Sequence, residues 1–153
     1  MKILASIGGY GPNGSEAVTI AALRQPDGIL AIIKKTEVFH AERQPGMAFV
    51  TNMKLGAYDC LFQEEHLSTA IRSYKEMQGQ GLLTFSADSV RFTPRVETDG
   101  IDEKGQKYRL DENIDNGQMA VLAIVHFVSR QQAITSTATL SERMAGLYDI
   151  MSV

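Results

Sequence analysis

The longest apolar run in the chain is Met119 to Val128, Met-Ala-Val-Leu-Ala-Ile-Val-His-Phe-Val. Lys107 to Leu110 precedes it and alternates like a strand. Between them Asp111, Asn113, Asp115 and Asn116 form a polar corner whose side chains can accept hydrogen bonds from the orphan N–H groups that open a helix. The pattern predicts a strand feeding an apolar helix over 106–131.

Earlier in the chain, Lys2 to Ile7 reads as a short strand ended by Gly8-Gly9-Tyr10-Gly11-Pro12-Asn13-Gly14, a loop. Ala17–Leu23 and Ile29–Phe39 are rich in Val, Ile and Thr and flank Gln25-Pro26-Asp27-Gly28, which predicts a β-hairpin. Met47–Asn52 and Ala57–Phe62 read as a second hairpin turning near Lys54-Leu55-Gly56. Over Glu64–Gln78, Leu67, Ile71, Tyr74 and Met77 fall on one helical stripe, acids occupy the first turn, and Gly79-Gln80-Gly81 stops the helix. Leu82–Ser86 and Ser89–Val96 read as a further strand pair, followed by an acidic loop from Glu97 to Gly105. Thr139-Leu-Ser-Glu142 has capping-box spacing ahead of a stripe of Leu140, Met144, Leu147 and Met151, predicting a short C-terminal helix over 139–151.

These elements predict an α+β fold with antiparallel sheets, because the strand connections are shorter than βαβ crossovers require. The order gives two successive units of about four strands plus a helix, then the short C-terminal helix. We read a single domain over 1–153, with pseudo-halves 1–80 and 81–133.

Composition changes this picture little. With 44% hydrophobic and 22% charged residues the chain is globular, and the absence of Trp argues against a broad stacking surface. The start lacks a basic segment leading into a long apolar core, and Met119–Val128 is far shorter than the roughly 20 residues of a membrane span. Cys60 is the only cysteine, which excludes an internal disulfide and suits a reducing compartment; we expect a cytoplasmic protein. The net charge of −3 is unevenly spread: Glu97–Asp115 holds seven acids and three bases, leaving eleven acids and twelve bases elsewhere. A strongly basic nucleic-acid binder is excluded, but a local cationic patch is not.

Enzymatic motifs are incomplete. Gly9 to Ser15 has the glycines and hydroxyl of a phosphate loop, but no lysine precedes Ser15 and Glu16 follows it. Asp111 to Gly117 begins like a calcium loop, yet Leu122 stands where a bidentate Glu is needed. His40, His66 and His126 are far apart in sequence, and His126 reads as a structural histidine within an apolar helix. We expect no catalytic residue, metal or cofactor.

The cations are more suggestive. Arg91 and Arg95 share one face of a predicted strand; Lys34 and Lys35 end another, near Phe39; Lys54 lies at a turn beside Tyr58. Cations and aromatics on antiparallel strands make a platform on which bases stack and phosphates pair.

Leu83-Thr-Phe-Ser-Ala leading to Tyr108, then Ala120-Val-Leu-Ala-Ile-Val-His-Phe-Val128, resembles the second half of Whirly-type single-stranded-DNA-binding proteins over residues 82–130. The resemblance implies two four-strand-plus-helix units, single-stranded DNA binding with little sequence preference, and a homo-oligomer. The family's Lys-Gly-Lys-Ala-Ala-Leu signature has no counterpart here, so the candidate binding residues come from the strand-face argument alone.

The leading expectation is therefore a non-catalytic protein binding single-stranded DNA or RNA through Lys34, Lys35, Phe39, Lys54, Tyr58, Arg91 and Arg95. A protein–protein interaction or adaptor module is the alternative. A small nucleotide-binding enzyme using loop 8–15 is a third reading.

Overall fold

The computed structural model describes residues 1–9, 17–37, 45–54, 57–86, 96–102, 105–110 and 115–131. Among them the chain forms β1 (Lys2–Ile7), β2 (Val18–Arg24), β3 (Leu30–Thr36), β4 (Met47–Thr51), β5 (Cys60–Leu61), a 3-10 turn (Glu64–His66), α1 (Leu67–Gly79), β6 (Leu83–Phe85), β7 (Val96–Asp102), β8 (Gly105–Leu110) and a second helix, α2, over 116–131. The fold is mixed α/β: a six-stranded sheet ordered β5-β4-β1-β2-β3-β6, a separate β7-β8 ribbon, and two α-helices.

The predicted hairpin at β2–β3 is present and antiparallel. Its turn closes where Gly28 N–H donates to Gln25 O (3.0 Å) and Gln25 N–H to Ile29 O (2.9 Å). Gly28 takes φ +93°, a conformation that costs an L-residue but not glycine, so the Pro-Asp-Gly order matches the backbone the turn needs.

The purely antiparallel sheet is not what forms. β1 pairs with β4, β4 with β5, and β3 with β6, all in parallel. The expected hairpin between 47–52 and 57–62 is replaced by a loop that doubles back, so that Cys60 lies beside Val50. Asp59 fixes that return: its N–H donates to Phe49 O (2.8 Å), while its Oδ2 accepts from Phe49 N–H (2.7 Å). Asn52 ties the end of β4 to Gly8, its Oδ1 accepting from Gly8 N–H (3.1 Å) and its Nδ2 donating to Gly8 O. Side-chain acceptors thus supply the connection that local turn chemistry did not announce.

The arrangement of two four-strand units is also altered. Among the described residues five strands precede α1, and Leu83–Phe85 joins the first sheet beside Leu30–Ile32. Residues 89–95, the expected partner of that strand, lie outside the described residues, as do the C-terminal helix over 139–151 and positions 10–16 of the glycine loop. The stretch read as an acidic loop is strand β7, paired antiparallel with β8. A register shift between Thr98 and Ile101 absorbs an extra residue, and Gly100 at φ +84° allows that bulge to form.

Both helices follow their sequence signals. α1 buries Ala70, Ile71, Tyr74 and Met77, and Leu67 packs against them. At its end Leu82 N–H donates to Met77 O (2.9 Å) and Gly81 N–H to Gln78 O (3.1 Å), a Schellman stop with Gly81 at φ +69°. α2 begins in a reciprocal cap: Gln118 N–H donates to Asp115 Oδ1 (2.8 Å), and Asp115 N–H to Gln118 Oε1 (3.4 Å). Every residue from Met119 to Val128 is buried. A helix apolar around its whole circumference belongs inside a core. Here that core is shared with Ile3, Ala5, Ile7, Ile20, Ile32 and Val50 of the sheet and with Ile71 and Tyr74 of α1. The ribbon docks on α1, where Tyr108 N–H donates to Ser68 Oγ (2.9 Å) and Lys75 Nζ lies 4.8 Å from the Tyr108 ring centre. No helix among the described residues is long and apolar enough to cross a membrane.

Candidate nucleic-acid interface

Within the six-stranded sheet the charged residues are Lys2, Arg24, Lys34 and Lys35; no strand of it contains an acid. Side chains of paired residues share a face, and neighbours along a strand point to opposite faces. The inner face is marked by the row Ala48–Ile3–Ala22–Ile32–Phe85, which packs on the core. The outer face then holds three rows: Met47–Lys2–Leu23–Ala31–Thr84, Phe49–Leu4–Ala21–Lys34, and Thr51–Ser6–Thr19–Thr36.

These rows are covered unequally. Leu4, Ser6, Thr19, Phe49 and Thr51 are buried, and the Ser6 and Thr19 hydroxyls bond each other at 2.8 Å. Toward β3 and β6 the face opens: Ala21, Leu23, Ala31 and Thr36 are half-buried, while Lys2, Ile33, Lys34 and Thr84 are exposed. The open part is therefore a shallow apolar floor carrying cations.

The two lysines of β3 do not act alike. Ala22 pairs with Ile32 and Ala21 with Lys34, leaving Ile33 as an extra, unpaired residue in a bulge. The bulge reverses the strand's phase. Ile33 and Lys34 both turn outward and are both exposed, whereas Lys35 pairs with Ile20 on the inner side and is half-buried. Regular alternation would have sent Lys34 inward beneath Ile32. The hydroxyl of Ser86, just past β6, donates to the Ile33 carbonyl and so occupies an acceptor that the bulge takes out of the ladder.

The remaining candidate residues are dispersed. Lys54 is exposed beyond the end of β4, and Tyr58 is 41% exposed before β5. β4 stands three places from β3 in the sheet, a separation of about 14 Å at ordinary strand spacing. Phe39, Arg91 and Arg95 lie outside the described residues. Lys2 joins the outer face although its sequence context did not single it out; its alternation with the buried Ile3 was the available signal. Arg24 lies opposite Leu30 at the turn end, on the inner side, near Asp27.

Two other polar clusters exist. His66 and His126 stack with ring centres 4.5 Å apart, and Phe62 meets His126 edge-on at 5.6 Å. Nδ1 of His66 accepts from Gln63 N–H (3.0 Å), and Nε2 lies 3.6 Å from Glu65. The ring cluster joins α1's start to α2, a structural role consistent with the sequence reading of His126. A small cleft at the end of α2 is lined by Asp59, Cys60, Phe127, Arg130 and Gln131. Burial pushes the Cys60 thiol up, more than the hydrogen-bonded Arg130 pulls it down, which favours the protonated thiol. Among the described residues no three His, Cys, Asp or Glu side chains gather as metal ligands. Comparison with protein-family models, curated proteins and solved structures gives no match, so the chain's chemistry is read from its own residues.

Proposed function

We propose that the protein binds single-stranded nucleic acid on the open outer face of the six-stranded sheet, without catalysis and with little sequence preference. The observation that carries this reading is the charge pattern of the sheet: no acid in any of its six strands, and Lys2 and Lys34 on its outer face, in a chain whose net charge is −3. A polyanion gains from such a surface because its phosphates meet no like charge there, and exposed apolar side chains offer bases a dry contact. Lys2 and Lys34 lie on the open part of that face; Lys54, Arg91 and Arg95 are further phosphate partners in this reading, with Tyr58 and Phe39 as stacking partners. A duplex hides its bases, so a single strand is the better occupant of a shallow apolar floor.

The test is fluorescence anisotropy with a labelled oligothymidylate at low salt, with duplex DNA as competitor. Saturable binding that duplex displaces poorly supports the reading. No binding, or equal displacement by duplex, contradicts it.

A protein–protein adaptor is the second reading, favoured by two exposed isoleucines, Ile33 at 44% and Ile101 at 87%. Isolated apolar residues are common on surfaces, so they weigh less than the charge pattern. Solution mass before and after Ile101→Ser separates the two, since only an interface through the ribbon would respond.

A further inference from the structure

Resting on the proposed binding reading, we infer that the bulge at Ile33 is the device that selects the reading residues: it pairs an apolar side chain with a cation on one face, and that pair seats one nucleotide of a single strand. Lys34 meets the phosphate and Ile33 packs against the adjoining sugar and base. Lys35, its neighbour in sequence, takes no part.

The argument starts from register. Opposite the single step from Ala22 to Ala21, β3 advances from Ile32 to Lys34. Ile33 and Lys34 thereby occupy one face as consecutive residues, which a regular strand forbids. Both are exposed, Ile33 at 44% although it is a large β-branched hydrophobe. A nucleotide repeats an apolar base beside an anionic phosphate, and this pair presents the complementary chemistry at adjacent positions. Half-buried Ala21, Ala31 and Leu23 extend the apolar floor next to the pair, and Lys2 and Thr84 border it. The surroundings hold the bulge in place: Ser86 donates its hydroxyl to the Ile33 carbonyl, and Ser86 N–H donates to Ile32 O at 3.0 Å. Bulges recur where a sheet must re-aim a side chain, and this one re-aims a lysine that alternation would have directed inward.

Lys35 provides the internal control. It has the same charge one residue away, but its partner in the ladder is Ile20, fully buried on the inner face. Its side chain therefore leaves the strand on the inner side, opposite to Lys34. A binding surface governed only by local net charge would respond equally to either lysine. A surface governed by the bulge responds to one.

The experiment measures oligothymidylate affinity as a function of salt for the full chain and for Lys34→Gln, Lys35→Gln and Ile33→Ser, with thermal melting of each variant to establish folding. The expected result for Lys34→Gln is an affinity loss of about fivefold or more at low salt and a log–log salt slope shallower by roughly 0.7, the value for one lost single-strand phosphate contact. Ile33→Ser is expected to weaken binding by about threefold with the slope unchanged, because it removes an apolar contact and no charge. Lys35→Gln is expected to leave both affinity and slope unchanged. Equal effects of Lys34→Gln and Lys35→Gln would overturn the inference while leaving the binding reading intact. Absence of binding by the unaltered chain would overturn both. Should Ile33→Ser fail to fold, the comparison of the two lysines decides alone.

Discussion

Leu122 sits in the middle of α2 with its side chain fully buried. Replacing it by alanine removes three carbons, a transfer loss of about 2.4 kcal/mol at ~0.8 kcal/mol per buried carbon. The cavity left behind adds to that, because helix and sheet relax only partly, giving a total of roughly 3–5 kcal/mol. The distinctive feature of α2 is that its neighbours in sequence are equally enclosed. Val121, Leu122, Ala123 and Ile124 step about 100° apart around the axis, and all four are fully buried. Val121→Ala and Ile124→Ala should therefore also cost more than about 1 kcal/mol each. Ala123→Leu should be destabilising by about 1–3 kcal/mol, since a larger side chain has no solvent to turn into. Equilibrium urea unfolding followed by circular dichroism measures each value. For a chain of this size a loss of 3 kcal/mol corresponds to a melting point lower by roughly 6–12 °C. A neutral or stabilising Ala123→Leu would show that one side of α2 faces water. Leu122→Ala costing under about 1 kcal/mol would refute the placement of this helix in the core.

Smaller perturbations test the local chemistry. Asp115→Ala removes the acceptor for Gln118 N–H and should cost about 1 kcal/mol, whereas Asp115→Asn keeps an acceptor and should cost less; urea midpoints distinguish them. Gly28→Ala should cost about 1 kcal/mol through its φ of +93° alone, because the nearest atoms to an added Cβ, on Arg24 and Leu82, are 3.9 Å away. Cys60 should resist a thiol reagent in the native protein and react on unfolding. Burial raises the folded thiol above its unfolded value, so the unfolded chain releases its proton first as pH rises; stability should fall above about pH 8.5, and Cys60→Ala should flatten that decline, leaving only the later contribution of Tyr74, which burial also raises.

What was legible in the sequence depended on how local the cause was. The stripe of Ile71, Tyr74 and Met77, the stop at Gly81 and the cap at Asp115 are settled within a few residues of each other, and all appear as expected. The Pro26-Asp27-Gly28 turn did the same for β2 and β3. Strand direction is different, because it depends on a partner far along the chain. Nothing near Met47 states that β4 will pair beside β1, and the side chains that hold the return loop, Asn52 and Asp59, are ordinary polar residues until Gly8 and Phe49 meet them. Glu97 to Asp102 misled through charge: an acid-rich, glycine-containing stretch reads as loop, yet a ribbon with a glycine bulge accommodates it. The candidate surface was legible as residue type and illegible as phase. Lys34 and Lys35 look equivalent in sequence, and only the bulge opposite Ala21 and Ala22 separates them. Cys60 and Arg130 likewise come together across the fold with no shared motif.

The most direct measurement is a salt titration of oligothymidylate binding to the unaltered full chain. Binding through the acid-free sheet requires measurable affinity at low salt and a linear fall of log K with log salt concentration, with a slope of about −0.7 for each phosphate engaged. The two cations of the outer face, Lys2 and Lys34, give a slope of roughly −1.4, and each further phosphate contact adds about −0.7. No binding at low salt, or an affinity indifferent to salt, would contradict a nucleic-acid role for this surface.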